Sequence, residues 1–125
     1  MNRLRTIIPA AILTILFASE TFSQKSTEQF IPIGESPGLS GVTTYIGRIQ
    51  GYDAASGTLT LNAGGAPQAV RITDDTNIWL DRSAWKLSNL EGDASDLQAG
   101  RRAEVSYVDP TVRDVASWVK VETGN

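Results

Sequence analysis

The chain contains no cysteine and no histidine, and its one methionine is Met1. Without thiolate, imidazole or internal thioether ligands it cannot build zinc, copper or haem centres of the usual kinds. Without cysteine it can neither staple itself with disulfides nor carry a lipid on a cysteine behind an export signal. No cofactor is expected. The absence of histidine also removes the commonest general base at neutral pH. Basic residues are in the minority: 11 Lys and Arg stand against 14 Asp and Glu, a formal charge of −3. That balance disfavours polyanionic partners such as nucleic acid or anionic lipid.

Long apolar runs are also scarce. The only one extends from Ile7 to Ala18, behind Arg3 and Arg5, and Glu20 follows closely. A positive start and an uncharged apolar stretch shorter than the roughly 20 residues of a spanning helix are the layout of a signal peptide. Small side chains at Thr21 and Ser23 place the expected cut between Ser23 and Gln24. Removing residues 1–23 takes away Arg3, Arg5 and Glu20 and moves the charge from −3 to −4. The expected product is periplasmic or secreted, and its length suits one domain with a modest core.

Residues 24–41 bring polar side chains first and then Pro32, Gly34, Pro37, Gly38 and Gly41, a spacing that no regular element survives. They read as an extended leader that lays Phe30, Ile31, Ile33 and Leu39 on the domain surface, or as a tail that docks a partner. From 42 onward the chain turns to β-branched and aromatic residues with turn signals at short intervals, the mark of a small all-β domain. Six strands are expected: Thr43 to Tyr52, Thr58 to Asn62, Gln68 to Thr73, Asn77 to Leu80, Arg101 to Val108 and Val115 to Glu122. The first three form a meander. Between the fourth and fifth, Ser88-x-x-Glu91 and Asp93-x-x-Asp96 have capping-box spacing and predict one or two short helical turns.

Several segments together carry a resemblance. These are Gly47-Arg-Ile-Gln-Gly-Tyr-Asp, Thr58-Leu-Thr-Leu, Val70-Arg-Ile-Thr-Asp-Asp-Thr-Asn-Ile, Asp96-Leu-Gln-Ala-Gly-Arg-Arg-Ala-Glu-Val, and a final Val-rich strand. In this order, over roughly residues 42–123, the chain resembles small OB-like β-barrel domains of exported bacterial proteins of unknown function. The resemblance implies a six-stranded OB-like barrel and an envelope location. It implies no catalytic residues, and the Trp-rich stretch at 79–92 departs from it.

Three patterns could carry chemistry. Gly34-Glu35-Ser36-Pro37-Gly38 matches G-x-S-x-G, but the chain has no histidine to take a proton from the serine, and Pro32 and Pro37 do not suit the strand and helix of a nucleophile elbow. Asp74, Asp75, Asp81, Glu91, Asp93 and Asp96 offer paired carboxylates, as a carbohydrate-cleaving enzyme would need. Asp74 and Asp75 fit a turn and Asp93 a helix cap equally well, and no calcium-loop motif is present. Arg48, Arg71, Arg101 and Arg102 are spaced to form a stripe across neighbouring strands.

The richest stretch is Ile78 to Leu90, which holds Trp79 and Trp85, two of the three tryptophans. By strand alternation Trp79 points away from Ile78 and Leu80. Either Trp85, Leu87 and Leu90 close one end of the barrel over Trp79, or Trp79, Arg82 and Trp85 form an aromatic and cationic ledge for a ligand. Trp118, on the parity opposite Val115, Val119 and Val121, would extend that ledge from a regular strand, with Ala116 and Lys120 beside it, whereas a β-bulge would turn it inward. The candidate site is therefore Trp79, Arg82, Trp85 and Trp118, in a non-catalytic binding or interaction module. Its candidate partners are an envelope protein or an oligosaccharide; nucleic acid and stable membrane insertion are not expected, and the oligomeric state is left open. The alternatives are a small carbohydrate-active envelope enzyme and a structural subunit of an envelope assembly.

Overall fold

A computed structural model describes residues 27–123. The expected signal segment and its cut lie outside the described residues. The chain divides into two units, Met1–Phe30 and Ile31–Asn125. In the first, the Phe30 N–H closes a turn onto the Thr27 carbonyl at 3.1 Å. Among the described residues no helix is long and apolar enough to cross a membrane.

The second unit is all β. Seven strands follow one another: β1 (Thr44–Asp53), β2 (Thr58–Asn62), β3 (Pro67–Arg71), β4 (Asn77–Asp81), β5 (Leu90–Glu91), β6 (Arg102–Tyr107) and β7 (Ala116–Glu122). They form a single sheet in the order β3-β2-β1-β6-β7-β4-β5. The expected meander is present as β1-β2-β3. The seventh strand is the two-residue β5, which pairs Glu91 with Trp79 and Leu90 with Leu80. That pairing replaces the helical turn expected from Ser88-x-x-Glu91. Short 3-10 turns form instead at Ser83–Trp85 and at Ala94–Asp96, the latter inside the capping box of Asp93 and Asp96.

After β3 the chain does not fold back. Across the break at 72–76, β4 pairs parallel with β7, and an isolated parallel bridge joins Arg71 to Val115. The break is held by threonines rather than by Asp74 and Asp75. The Thr73 N–H donates to the Thr76 hydroxyl, and that hydroxyl donates to the Ala116 carbonyl at 2.8 Å, pinning the turn to β7.

One apolar cluster gathers Leu59, Leu61 and Val70 from one end of the strand order with Val119, Val121 and Ile78 from the other. The sheet therefore curls over its apolar face, without closing into a complete barrel. Two bulges set which side chains enter this core. Between Ile49 and Gly51 the register with β2 slips by a residue, so Ile49 and Tyr52 both lie on the core side. Between Ser106 and Tyr107 the register with β7 slips at Ser117, so Ala116 and Val119 both face the core while Trp118 and Lys120 face away. Gly47 is required by a close approach, because a Cβ there would stand 2.8 Å from the Asn62 carbonyl oxygen.

Candidate functional site

The face opposite the core carries Thr44 on β1, Glu104 on β6, Trp118 and Lys120 on β7, and Trp79 and Asp81 on β4. It is not open to solvent. The leader from Ile31 to Thr43 crosses it as a strap of successive turns, and its attachments are specific. The Ile33 N–H donates to Asp81 Oδ2 at 2.8 Å, and the Gly34 N–H donates to Glu104 Oε1 at 2.9 Å. The Thr44 hydroxyl donates to Glu104 Oε2 at 2.7 Å and accepts the Gly41 N–H at 3.0 Å. Ile33 and Ser36 are buried by this docking. The leader is thus ordered from Ile31 onward, with Ile33 laid on the domain as expected and Leu39 left partly exposed.

Beneath the strap lies a charged layer. Glu104 and Lys120 are directly opposite in the β6-β7 ladder, and both are completely buried. The Lys120 ammonium lies 4.6 Å from the centre of the Trp118 ring, a cation–π contact, and reaches the Ser36 hydroxyl at 3.4 Å. The Trp118 ring packs in turn on Trp79, with centroids 5.7 Å apart. Burial pushes the Asp81 carboxyl up, but the Ser83 hydroxyl and N–H, the Ile33 N–H and the Lys120 charge outweigh it and hold the group below its ordinary value of 3.8. Among the described residues no buried side-chain polar atom lacks a hydrogen-bond partner. A buried charge layer so fully satisfied positions the strap.

The four candidate residues separate into two places. Trp79 and Trp118 meet, on the side that strand alternation predicts, but they are only 4% and 5% exposed. They are the packed floor under the strap and not a ledge. Trp85 lies on the loop between β4 and β5 and is 54% exposed, with Leu87 at 53% and Leu90 at 45%. These three therefore do not close an end of the core either. Arg82 braces the loop from within: its N–H donates to Asn89 Oδ1 at 3.1 Å and its Nε to the Ser88 carbonyl at 2.7 Å. Asp81 Oδ1 accepts the Ser83 N–H at 2.8 Å, the Lys86 N–H returns to the Ser83 carbonyl, and Lys86 itself takes a left-handed conformation with φ 57°.

Known protein families, curated proteins and solved structures give no match to this chain. The site must therefore be read from its own chemistry. Ser36 of the G-x-S-x-G match lies in the buried strap, where its oxygen accepts a hydrogen bond from the Lys120 ammonium. Asp81 and Glu104 both lie under the strap, and each accepts one of its N–H groups. Asp93 is the cap of its turn and is held below the ordinary range by hydrogen bonds from Ser95. Among the described residues no cluster of three or more acidic side chains could hold a metal ion.

Sequence reasoning missed Glu104, Lys120 and Thr44. Strand alternation puts the first two opposite Val105 and Val119, which ordinarily means water. Only a strap over that face makes them interior, and no residue pattern in 31–43 announces one.

Proposed function

We propose that this protein is an exported, non-catalytic binding module that presents the loop from Ser83 to Leu90 to an envelope protein or an oligosaccharide. The observation that carries this reading is the combination of exposure and bracing in that loop. Three large apolar side chains stand about half in water on a segment fixed by the internal hydrogen bonds of Arg82, Asn89 and Asp81. A disordered loop would lose entropy on binding, whereas a braced one has already lost it, so an aromatic anchor held ready favours recognition. Trp85 is the central contact, with Leu87 and Leu90 beside it.

The OB-like barrel belongs to the same proposal. The parallel β4-β7 pairing and the parallel Arg71–Val115 bridge support it, because they make β3 and β4 two halves of one long strand that leads from β2 around to β7. Export rests on the layout of residues 3–23 alone.

The test is tryptophan emission of the wild type and of Trp85→Ala, each titrated with envelope extracts, cell-wall fragments and oligosaccharides. Trp79 and Trp118 supply a constant blue component, so any change reports on Trp85. A blue shift that saturates in the wild type and is missing from the variant supports the loop and names the ligand class. Full acrylamide quenching of Trp85 in the presence of every pool would overturn it.

A further inference from the structure

A second surface has a chemistry of its own. At Arg48 the long strand β1 passes from one neighbour to another: it pairs with β6 from Thr44 to Arg48 and with β2 from Arg48 to Asp53. Arg48 is thus opposite Asn62, in the last position of β2, and opposite Arg102, in the first position of β6. Around this crossing runs an open groove of about 400 Å³, lined by Ile46, Gly47, Arg48, Asn62, Ala63, Gly64 and Arg102.

Every polar side chain in that lining presents donors. Asn62 Oδ1 accepts the N–H groups of Gly64 and Gly65, at 3.0 and 2.8 Å, which leaves its amide NH₂ as the end that can serve a ligand. Arg48 gives one N–H to the Gly100 carbonyl at 2.9 Å and keeps the rest of its fork. Arg102 passes beside Gly34, its Nη2 3.4 Å from where a Cβ would stand, and forms no ion pair among the described residues. The nearest carboxylate along β6, Glu104, is engaged by Gly34 and Thr44 and lies opposite Lys120 in the ladder.

Two like charges directly opposite in a ladder repel, and sheets ordinarily avoid the arrangement or insert a counter-charge. Here the chain is acidic overall and yet sets two arginines directly opposite in the ladder on the rim of one groove, with no ion pair to either among the described residues. We infer that the groove is a binding site for a phosphoryl group, either the free ion or a phosphate monoester. A carboxylate offers one two-oxygen edge, enough for one fork, whereas a phosphoryl group has three terminal oxygens and nearly two charges, enough for both arginines and the Asn62 amide together. For an ester, Ile46 and Ala63 supply the apolar wall along which the organic part lies. This site is separate from the Ser83–Leu90 loop and stands or falls independently of it.

The experiment is calorimetric titration of the protein, in phosphate-free buffer of low ionic strength, with inorganic phosphate, phenyl phosphate and glucuronate. Saturable one-to-one binding of phosphate or phenyl phosphate is expected, with glucuronate weaker. Arg48→Gln and Arg102→Gln should each weaken phosphate binding about tenfold, and added salt should weaken it further. Lys86→Gln, a cation on the distant loop, should leave it unchanged. Tighter phenyl phosphate identifies an ester as the ligand, and equal affinity identifies the free ion. Thermal melts accompany the titrations, because removing one of two facing cations should hold or raise the melting temperature. The inference is overturned by the absence of saturable phosphate binding, by glucuronate binding as tightly as phosphate, or by arginine variants that bind like the wild type. A marked fall in the melting temperature of both variants would also overturn it, by making the arginines structural.

Discussion

Lys120 is a fully buried lysine in a domain with no disulfide and a small core. Its stem and ammonium are enclosed by Glu104, Trp118 and Ser36. Two opposite charges buried on adjacent strands add little over well-packed apolar residues, but removing one leaves the other uncompensated in the interior. Lys120→Met should therefore lose about 3–5 kcal/mol of unfolding free energy, and the double variant with Glu104→Leu should recover most of that. Urea midpoints at constant m-value check both. A single variant as stable as the wild type would mean that Lys120 does not hold the charged layer together.

At the scale of the element, the strap organises the second face of the sheet. It contains no strand and no helix, so its attachment is a matter of Ile33 in the interior, two N–H groups on carboxylates, and the turn capped by Thr44. Truncating Ile33 to Ala removes the only large side chain that the strap fully buries, a change of about 2–5 kcal/mol for a core position. The strap should then lift while the sheet persists. Tryptophan emission should move red as Trp79 and Trp118 meet water, and chymotrypsin should cut at Leu39 before it cuts the strands. Unchanged emission in a destabilised variant would show that the strap and the sheet melt as one.

This element also shows where the sequence was readable. The strands at 58–62, 77–81, 102–107 and 116–122 were visible within a residue or two because each is a short run rich in β-branched, apolar or aromatic side chains between turn residues. The bulges at Gln50 and Ser117 were not, since an added residue changes which parity faces the core without altering composition. β5 was hidden because two residues carry no period, and Ser88 and Glu91 mimic a cap. For the candidate site, the parity of Trp79 and Trp118 was legible and their burial was not. Burial depends on a strap whose proline and glycine content resembles that of any loose leader. The pairing of Arg48 with Arg102 needed the register, which no local pattern encodes over a separation of that length.

Over the whole molecule, the acid groups set how stability responds to pH. Asp81, Asp93 and Asp109 are each held below the ordinary carboxyl value of 3.8, Asp81 by the contacts that oppose its burial, Asp93 by Ser95 and Asp109 by Thr111. A carboxyl lowered on folding binds fewer protons in the native state than in the unfolded chain. Its contribution is complete above the unfolded value and disappears as pH falls through the folded one. Thermal stability should accordingly be level down to about pH 5 and fall steeply below 3.8. Asp93 and Asp109 are exposed, so solvent screens their share, and Asp81 should dominate. Asp81→Asn should lower stability at neutral pH and flatten the acid limb; an acid limb as steep as the wild type's would assign the dependence to other carboxyls.

The strap has a further consequence for the order in which the chain is made. Ile33 is anchored 48 residues downstream, Gly34 70 residues downstream and Ser36 84 residues downstream, at Lys120 near the other end of the fold. The first part of the domain to emerge from a ribosome, or from a translocation channel, is thus the part whose partners arrive last. Until β7 has been delivered, a growing chain lacks the last of the strap's partners and the Trp118 and Lys120 of its floor. A chain stopped short of Lys120 would lack that partner permanently, which makes the docked strap a mark of a completed domain.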